Sequence, residues 1–368
     1  MGVGRRALEE MGVSPEFWRG RRVLLTGHTG FKGSWLALWL ERLGAEVTGY
    51  SLAPPSEPSL FELARVAEVT ASLHADVRDL AALEQAMSEH RPEVVIHMAA
   101  QSLVRRSYAD PVETYETNVL GSVNVLEAAR RAGEPPRVVI NVTTDKVYEN
   151  LERDEPFRED EPKGGHDPYS NSKACSELLT AAYRNSFFAT GSPTAVASAR
   201  AGNVIGGGDW GADRLVPDLV RGALAGRPVP IRNPDAIRPW QHVLNPLSGY
   251  LRLAEAMWES PDFAQAWNFG PDERDEVSVR HVADRLSELW EGGIDWRQDE
   301  GEHPHEAHYL RLDSTKARTQ LGWAPRWDLD QALASIAAWH AGHIAGEDPR
   351  TLVLQQVESF AGAAAPRR

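Results

Sequence analysis

Two rhythms of hydrophobic positions alternate along the first half of the chain. RRVLLTG, AEVTGY, ASLHADV, EVVIHMAA, RVVINVTT and TAVASARAGNV are short unbroken apolar runs of strand length. Between them lie segments whose apolar residues recur every three or four positions: GSWLALWLERLGA (Trp35, Leu36, Trp39, Leu40, Leu43), DLAALEQAMSEHR, VETYETNVLGSVNVLEAARRAG and YSNSKACSELLTAAYRNSFF. Strands apolar on both faces that alternate with amphipathic helices predict a parallel sheet covered on both sides. The expected fold class is α/β, a Rossmann-type doubly wound parallel sheet, which binds ligands at the carboxyl ends of its strands.

From about residue 190 the rhythm breaks, and Gly, Pro and Trp become frequent in GNVIGGGDWGADRLVP and GRPVPIRNPDAIRPWQH. This predicts a smaller C-terminal α/β lobe. The expected division is a dinucleotide-binding domain over 20–190, with 242–270 returning to it, and a lobe made of 191–241 and 271–345. The helical patterns NPLSGYLRLAEAMWES, SVRHVADRLSELW and WDLDQALASIAAWHAGH fit that division. The ends, roughly the first 18 residues and AGAAAPRR, read as loosely held.

Composition narrows the class. Of 368 residues 42% are hydrophobic, enough for a large core. There are 53 acidic against 39 basic residues, a net charge of −14 with no basic stripe, which argues against nucleic acid. No apolar run reaches membrane-spanning length, and the first residues show no apolar signal core. The single cysteine, Cys175, precludes an intramolecular disulfide and fits a reducing, cytoplasmic setting.

The first strand–helix junction reads LLTGHTGFKGSW, with Gly27, Gly30 and Gly33 spaced G-x-x-G-x-x-G. Glycines there permit a tight turn, close approach to a pyrophosphate and close helix packing, with the phosphates on the helix N-terminus. A ligand-free tight turn is the plainer alternative. Thr29, Phe31 and Lys32 complete the loop, and Lys32 either meets a phosphate or is solvated. Asp76 and Val77 after the third strand, and Ala99, Ala100 and Gln101 after the fourth, are further candidate cofactor contacts. The acid expected near the end of the second strand is replaced by Tyr50-Ser51, so NAD is favoured over NADP only because no arginine stands there to receive a 2′-phosphate.

PYSNSK places Tyr169 and Lys173 four residues apart, on one face if Tyr169 opens a helix. An ammonium beside a phenol favours the phenolate, which takes a proton while hydride leaves the same carbon. Alone, such a pair is more often a surface pair. At the end of the fifth strand Thr144 is followed by Asp145 and Lys146, either a solvated ion pair or a proton-transfer pair.

TGHTGFKG, ADVRD, HMAAQ, TNVLGSVNVLEA, YSNSK and RAGNVIGGGD together resemble the extended short-chain dehydrogenases/reductases. Within these the chain is similar to nucleotide-sugar 4,6-dehydratases, most of all the CDP-glucose branch, through PPSEPSLFELA, TTDKVYEN, GGGDWGADRLVPDLVR and PHEAHYLRLDSTKA. The resemblance implies a Thr144-Tyr169-Lys173 triad, NAD, and oxidation at C4, elimination of water across C5 and C6, and return of hydride to C6. It implies Asp145 as the acid and Lys146 as the base, which requires Lys146 to lose its proton through desolvation; the alternatives are roles shared through water, or a Lys146 that stabilises the enolate. A C4 epimerase, a dehydratase for another nucleotide, and a non-catalytic dinucleotide sensor are the competing readings.

On the substrate side, Arg238 in IRPWQH is the expected diphosphate ligand. Asn203 resembles the family's phosphate-contacting asparagine, and Arg214, Leu215 and Pro217 its base pocket. Ser102 and Arg106, with Gln101, are expected to face the sugar, and Tyr309 to touch substrate. Asn118 resembles an asparagine that orders the lysine region. His303, His305 and His308 cluster in sequence, but no partner has ligand spacing, so no metal is expected. The helices over 112–133 and 169–188 are expected to pair in a homodimer.

Overall fold

The computed structural model describes residues 12–150, 153–189, 191–301 and 309–363. All six expected strands form: β1 Arg22–Thr26, β2 Glu46–Ser51, β3 Ala71–His74, β4 Val94–His97, β5 Val138–Val142 and β6 Ala195–Ala201. With β10 (Ala266–Phe269) they make one seven-stranded sheet in the order β10-β6-β5-β4-β1-β2-β3. Every pairing in it is parallel. The Rossmann-type doubly wound α/β fold is therefore present. Strand order reverses between β1 and β4, which opens the crevice where such sheets take ligands. Thr26 lies level with both Tyr50 and His97, and His97 with Asn141, so the glycine loop and the threonines after β5 emerge along one edge.

Helices α1 (Phe31–Arg42), α2 (Leu80–His90), α3 (Gly121–Arg131) and α4 (Pro168–Phe187) cover the faces. The start of α4 follows from its sequence: Asp167 caps it by accepting from Ser170 N, and Pro168 occupies the first turn. A π-helical turn, Glu116–Leu120, leads into α3 and buries Asn118.

Beyond β6 the chain builds two small sheets, β11-β9-β7 and β12-β8. These contain β7 (Asn203–Ile205), β8 (Val229–Ile231), β9 (Ile237–His242), β11 (Glu276–Ser278) and β12 (Trp296–Gln298). Helix α5 (Leu215–Ala225) precedes β8, and α6 (Leu244–Glu259) runs back against the large sheet, where Tyr250 is fully buried. Buried tryptophans are packing residues, as expected: Trp18, Trp35, Trp267 and Trp339 are all 0% exposed. The expectation of a loose start fails after residue 13. Ser14 N and Trp18 Nε1 both donate to Glu255 on α6, at 2.8 and 2.9 Å.

Candidate active site

Close packing explains the glycine loop. Gly27 has φ +78°, and a Cβ on it would lie 2.7 Å from Ala99 N. A Cβ on Gly33 would lie 2.1 Å from Gly27 O. The N-terminus of α1 begins after Gly30 with no side-chain cap, leaving backbone donors for an anion. Small residues, an uncapped helix start and a position at the sheet's switch point fit a pyrophosphate. Thr29 Oγ1 donates to Ser51 Oγ and Leu52 O, both at 3.0 Å, which ties the loop to the end of β2. Phe31 packs on Gly206, where a Cβ would come 2.9 Å from its ring. Val77 is buried beneath Gly121, and Ala99 lies against Gly27. Asp76 is held by Arg78 at 2.6 Å, and that hydrogen bond keeps its carboxyl below the ordinary range.

Three expectations about side chains are corrected. Gln101 does not reach outward: its Nε2 donates to Leu103 O and Thr114 Oγ1, and its Oε1 accepts from Leu103 N. Arg106 turns to solvent and clasps Glu113, with three bonds of 2.6–3.0 Å. Lys32 is not simply solvated: it is half-buried, and its ammonium donates to Tyr250 Oη at 3.1 Å. Burial, then the nearby charges of Lys173 and Arg214, bring it down to about 7.

The strand end and α4 converge as expected. Thr144, Asp145, Tyr169 and Lys173 are 7%, 2%, 9% and 4% exposed. Thr144 Oγ1 donates to Asp145 Oδ1 at 2.9 Å. Asp145 Oδ2 is buried without a hydrogen-bond partner, and a Cβ on Gly202 would come within 2.9 Å of it. Burial pushes the Asp145 carboxyl above its ordinary range, against the opposing pull of Lys146, Thr144 and Arg238. Lys146 itself is half-buried. The short 3₁₀ turn Asp145–Val147 buries the acid and leaves the lysine half-buried beside it.

The expected lowering of the Tyr169 phenol by Lys173 is also absent. Lys173 Nζ donates to Val142 O at 3.2 Å, and burial brings its ammonium down to about 8. Burial raises Tyr169 to about 12, with Thr144 and Arg214 pulling the other way. Asn118 bridges the Gln101 backbone and Ser172 Oγ, beside Lys173, and so braces α4.

On the substrate side Arg238 is buried on β9, donates to Ile237 O at 2.8 Å, and stands within electrostatic reach of Asp145. Arg214 is anchored on buried Asp209 at 3.1 Å and donates to Ser102 Oγ at 3.0 Å. It also acts on the Tyr169 phenol, which places it nearer the reacting end than a base pocket would be. Leu215 and Pro217 open α5 beside it. Asn203 is half-buried and level with Trp240. Tyr309 is 37% exposed, and its carbonyl accepts from Asn150 Nδ2 at 2.8 Å. His303, His305 and His308 lie outside the described residues. Sequence reasoning missed Tyr250 and Gly202. Nothing local marked Tyr250; only the return of α6 to the sheet could have pointed to it.

A family model described as GDP-mannose 4,6 dehydratase matches residues 24–336. The chain belongs to the GDP-mannose 4,6 dehydratase family. It is 49% identical to a CDP-glucose 4,6-dehydratase of Salmonella typhimurium over 356 residues, 95% of this chain and 99% of that one. It is 31% identical to a dTDP-glucose 4,6-dehydratase of Streptomyces griseus over 258 residues, 69% of this chain and 74% of that one. Among solved structures it resembles the dTDP-glucose 4,6-dehydratase DesIV of Streptomyces venezuelae, which was solved with NAD bound. There the TM-score is 0.76 at 25% identity, covering 89% of this chain and 99% of that one. The family identifies the chain as a nucleotide-sugar-type short-chain dehydrogenase/reductase.

Proposed function

We propose that the protein converts CDP-D-glucose to CDP-4-keto-6-deoxy-D-glucose with NAD as its cofactor. The observation that carries the dehydratase reading is the buried, unpartnered oxygen of Asp145 beside Thr144 and within reach of Tyr169. A C4 epimerase needs the tyrosine and lysine but no such acid. The nucleotide is inferred from the 49% identity to the CDP-glucose 4,6-dehydratase, which extends over nearly the whole of both chains.

NAD, when bound along the glycine loop, would take hydride from C4 and return it to C6. Gly27, Gly30, Gly33 and the start of α1 would hold its phosphates, with Thr29, Phe31, Val77, Ala99 and Ala100 shaping the groove. Tyr169 takes the proton of the 4-hydroxyl. Thr144 and Arg214 are the groups that favour its anion, and Lys173 places a positive charge in the same pocket. The 4-ketone acidifies the C5 hydrogen. Lys146, at the half-buried lip, takes that proton once the bound sugar has excluded water from its amine, and Asp145, whose protonated form burial favours, gives one to the departing 6-hydroxyl. Arg238 and Asn203 are assigned to the diphosphate, Arg214 with Ser102 to the sugar end, and Leu215, Pro217 and Tyr309 to the nucleoside side. This roughly follows the division into 20–190 with 242–270, and 191–241 with 271–345.

A homodimer is proposed through the face that carries Val112, Leu120 and Leu178, which are 65%, 54% and 58% exposed. No described helix is long and apolar enough to cross a membrane, and the lone cysteine supports a cytoplasmic location. The test is incubation with CDP-, dTDP-, GDP- and UDP-glucose and mass analysis of the sugar. Loss of water from CDP-glucose above the others is expected. Inversion at C4 without loss of water would replace the dehydratase reading by the epimerase one.

A further inference from the structure

Beneath the catalytic residues lies an ion pair to which the proposed reaction assigns no step. Glu177, one turn after Lys173 on α4, is 4% exposed, and Arg200 on β6 is 1% exposed. Arg200 Nε and Nη2 meet the two carboxylate oxygens of Glu177, each at 2.8 Å. Thr143 Oγ1 and Ser198 Oγ donate to the same carboxylate, each at 2.6 Å. Arg200 Nη1 donates to Tyr148 Oη at 2.7 Å and to Glu159 O at 3.1 Å, and Tyr148 Oη donates to Asn268 Oδ1 at 2.6 Å. Neither member of the pair has an unpartnered buried atom.

The placement matters more than the pairing. Thr143 immediately precedes Thr144, and Tyr148 closes the turn that carries Asp145 and Lys146. The pair therefore grips the catalytic strand end on both sides, and Glu177 belongs to the helix that carries Tyr169 and Lys173. A buried ion pair is weak evidence for stability, because desolvation offsets its attraction. What it supplies here is fixed geometry between two elements.

We propose that Glu177 and Arg200 are positioning residues that lock the Thr143–Tyr148 strand end to α4, so that Thr144 and Asp145 meet Tyr169 and Lys173. The proposal rests on the roles assigned above to those four residues. It has an electrostatic corollary. The charged or titratable groups around Lys173 are Glu177 and Tyr169 on its own helix, Asp145 from the turn after β5, Lys32 from α1 and His97 from the end of β4. His97 is brought by burial to about 3 and is neutral, and Lys32 is a cation or neutral. Burial favours the neutral forms of Asp145 and Tyr169, so Glu177, one helical turn away and held charged by Arg200, is the anion that holds the proton on Lys173 against burial.

Two measurements test this. Thr143→Val cuts the link to the strand and leaves the ion pair whole. It should lower kcat about tenfold, the scale of one lost hydrogen bond, with KM for the nucleotide sugar unchanged. Ser198→Ala loses a bond to the same carboxylate from the neighbouring strand and should keep kcat within about twofold. Equal losses in the two variants, or a wild-type kcat in Thr143→Val, overturn the positioning role. The second measurement is the pH dependence of Lys173 acylation, read by peptide mass spectrometry. In Glu177→Gln its midpoint should fall below that of the wild type, and an unchanged midpoint overturns the corollary. If Glu177→Gln does not fold, the double variant Glu177→Gln/Arg200→Met, which loses the cation beyond Glu177 as well as the anion, should show a smaller fall in the same direction, and an unchanged midpoint there again overturns the corollary. Acylation needs no substrate, so it still reports on the pair if the sugar assignment is wrong.

Discussion

The two sides of the crevice are built differently. On the sheet side, Thr144, Asp145, Tyr169 and Lys173 are all under a tenth exposed and rest on a saturated polar network. On the rim, charged side chains stand half in solvent: Arg106 on Glu113, with side chains 56% and 27% exposed, and Arg105 on Asp213, 42% and 43%. Burial magnifies every charge on the first side and screening blunts every charge on the second. Function should therefore be brittle to changes on the sheet side and tolerant on the rim.

The largest effect is expected at Tyr169. Tyr169→Phe keeps the ring and removes the proton acceptor, so turnover should fall about 10²-fold or more, the scale of a lost general base. Binding of nucleotide sugar should persist. Near-normal turnover would move the base elsewhere in the pocket.

Asp145 and Lys146 come next and divide the reaction. In Asp145→Asn the departing hydroxyl loses its acid, and product formation should drop about 10²-fold. Lys146→Met removes the assigned base and should cost about as much, about 10²-fold. Both variants keep the residues assigned to oxidation. Single-turnover absorbance in the reduced-nicotinamide band should therefore rise and persist, with a 4-keto sugar that retains its 6-hydroxyl. Dehydrated product at the wild-type rate in both would reduce the pair to a structural role.

Lys173 tests the comparison through stability. Its ammonium is lowered from 10.5 to about 8 by burial. A folded-state value below the unfolded one means that the charged form costs stability below about pH 8, and that the cost fades as pH rises toward 10.5. The shift corresponds to about 3 kcal/mol at most, less about 1 kcal/mol for the bond to Val142 O that a substitution removes. Lys173→Met should thus lose activity yet unfold at a higher temperature at pH 7, and the gain should shrink by pH 9.5. A gain that does not depend on pH would show that the lysine is not charged in its pocket at neutral pH.

How much of this was legible beforehand follows the same division. Strand runs and helical spacing located the parallel sheet because burial on both faces imposes a continuous apolar pattern. The glycine loop was legible because Gly27 and Gly33 have no room for a Cβ. Thr144, Tyr169 and Lys173, which the family resemblance grouped, do lie together, because one ends a strand and the other two stand one helix turn apart. What stayed hidden was orientation. The one-residue step from Asp145 to Lys146 turns the acid in and leaves the lysine at the lip, and no pattern of residue types records that. Tyr250 reaches the pocket only because α6 packs back on the sheet. Arg106 was misread because a basic residue beside a ligand groove looks the same in sequence whether it faces the ligand or an acid on the next turn.

Arg106 therefore gives the smallest expected effect and the sharpest check on the rim. Arg106 and Glu113 sit on two short surface helices, Val104–Ala109 and Pro111–Tyr115, seven residues apart in sequence, and the guanidinium is spent on Glu113 by three bonds. Exposed pairs of this kind are worth roughly 0–1 kcal/mol. Arg106→Ala should change kcat and KM for the nucleotide sugar less than about twofold and shift the unfolding midpoint by about a degree or two. Any stability difference between variant and wild type should shrink as salt is raised, because the exposed pair is screened. A KM raised tenfold would mean that Arg106 leaves Glu113 to bind substrate, and that the rim rearranges on binding while the buried side stays fixed.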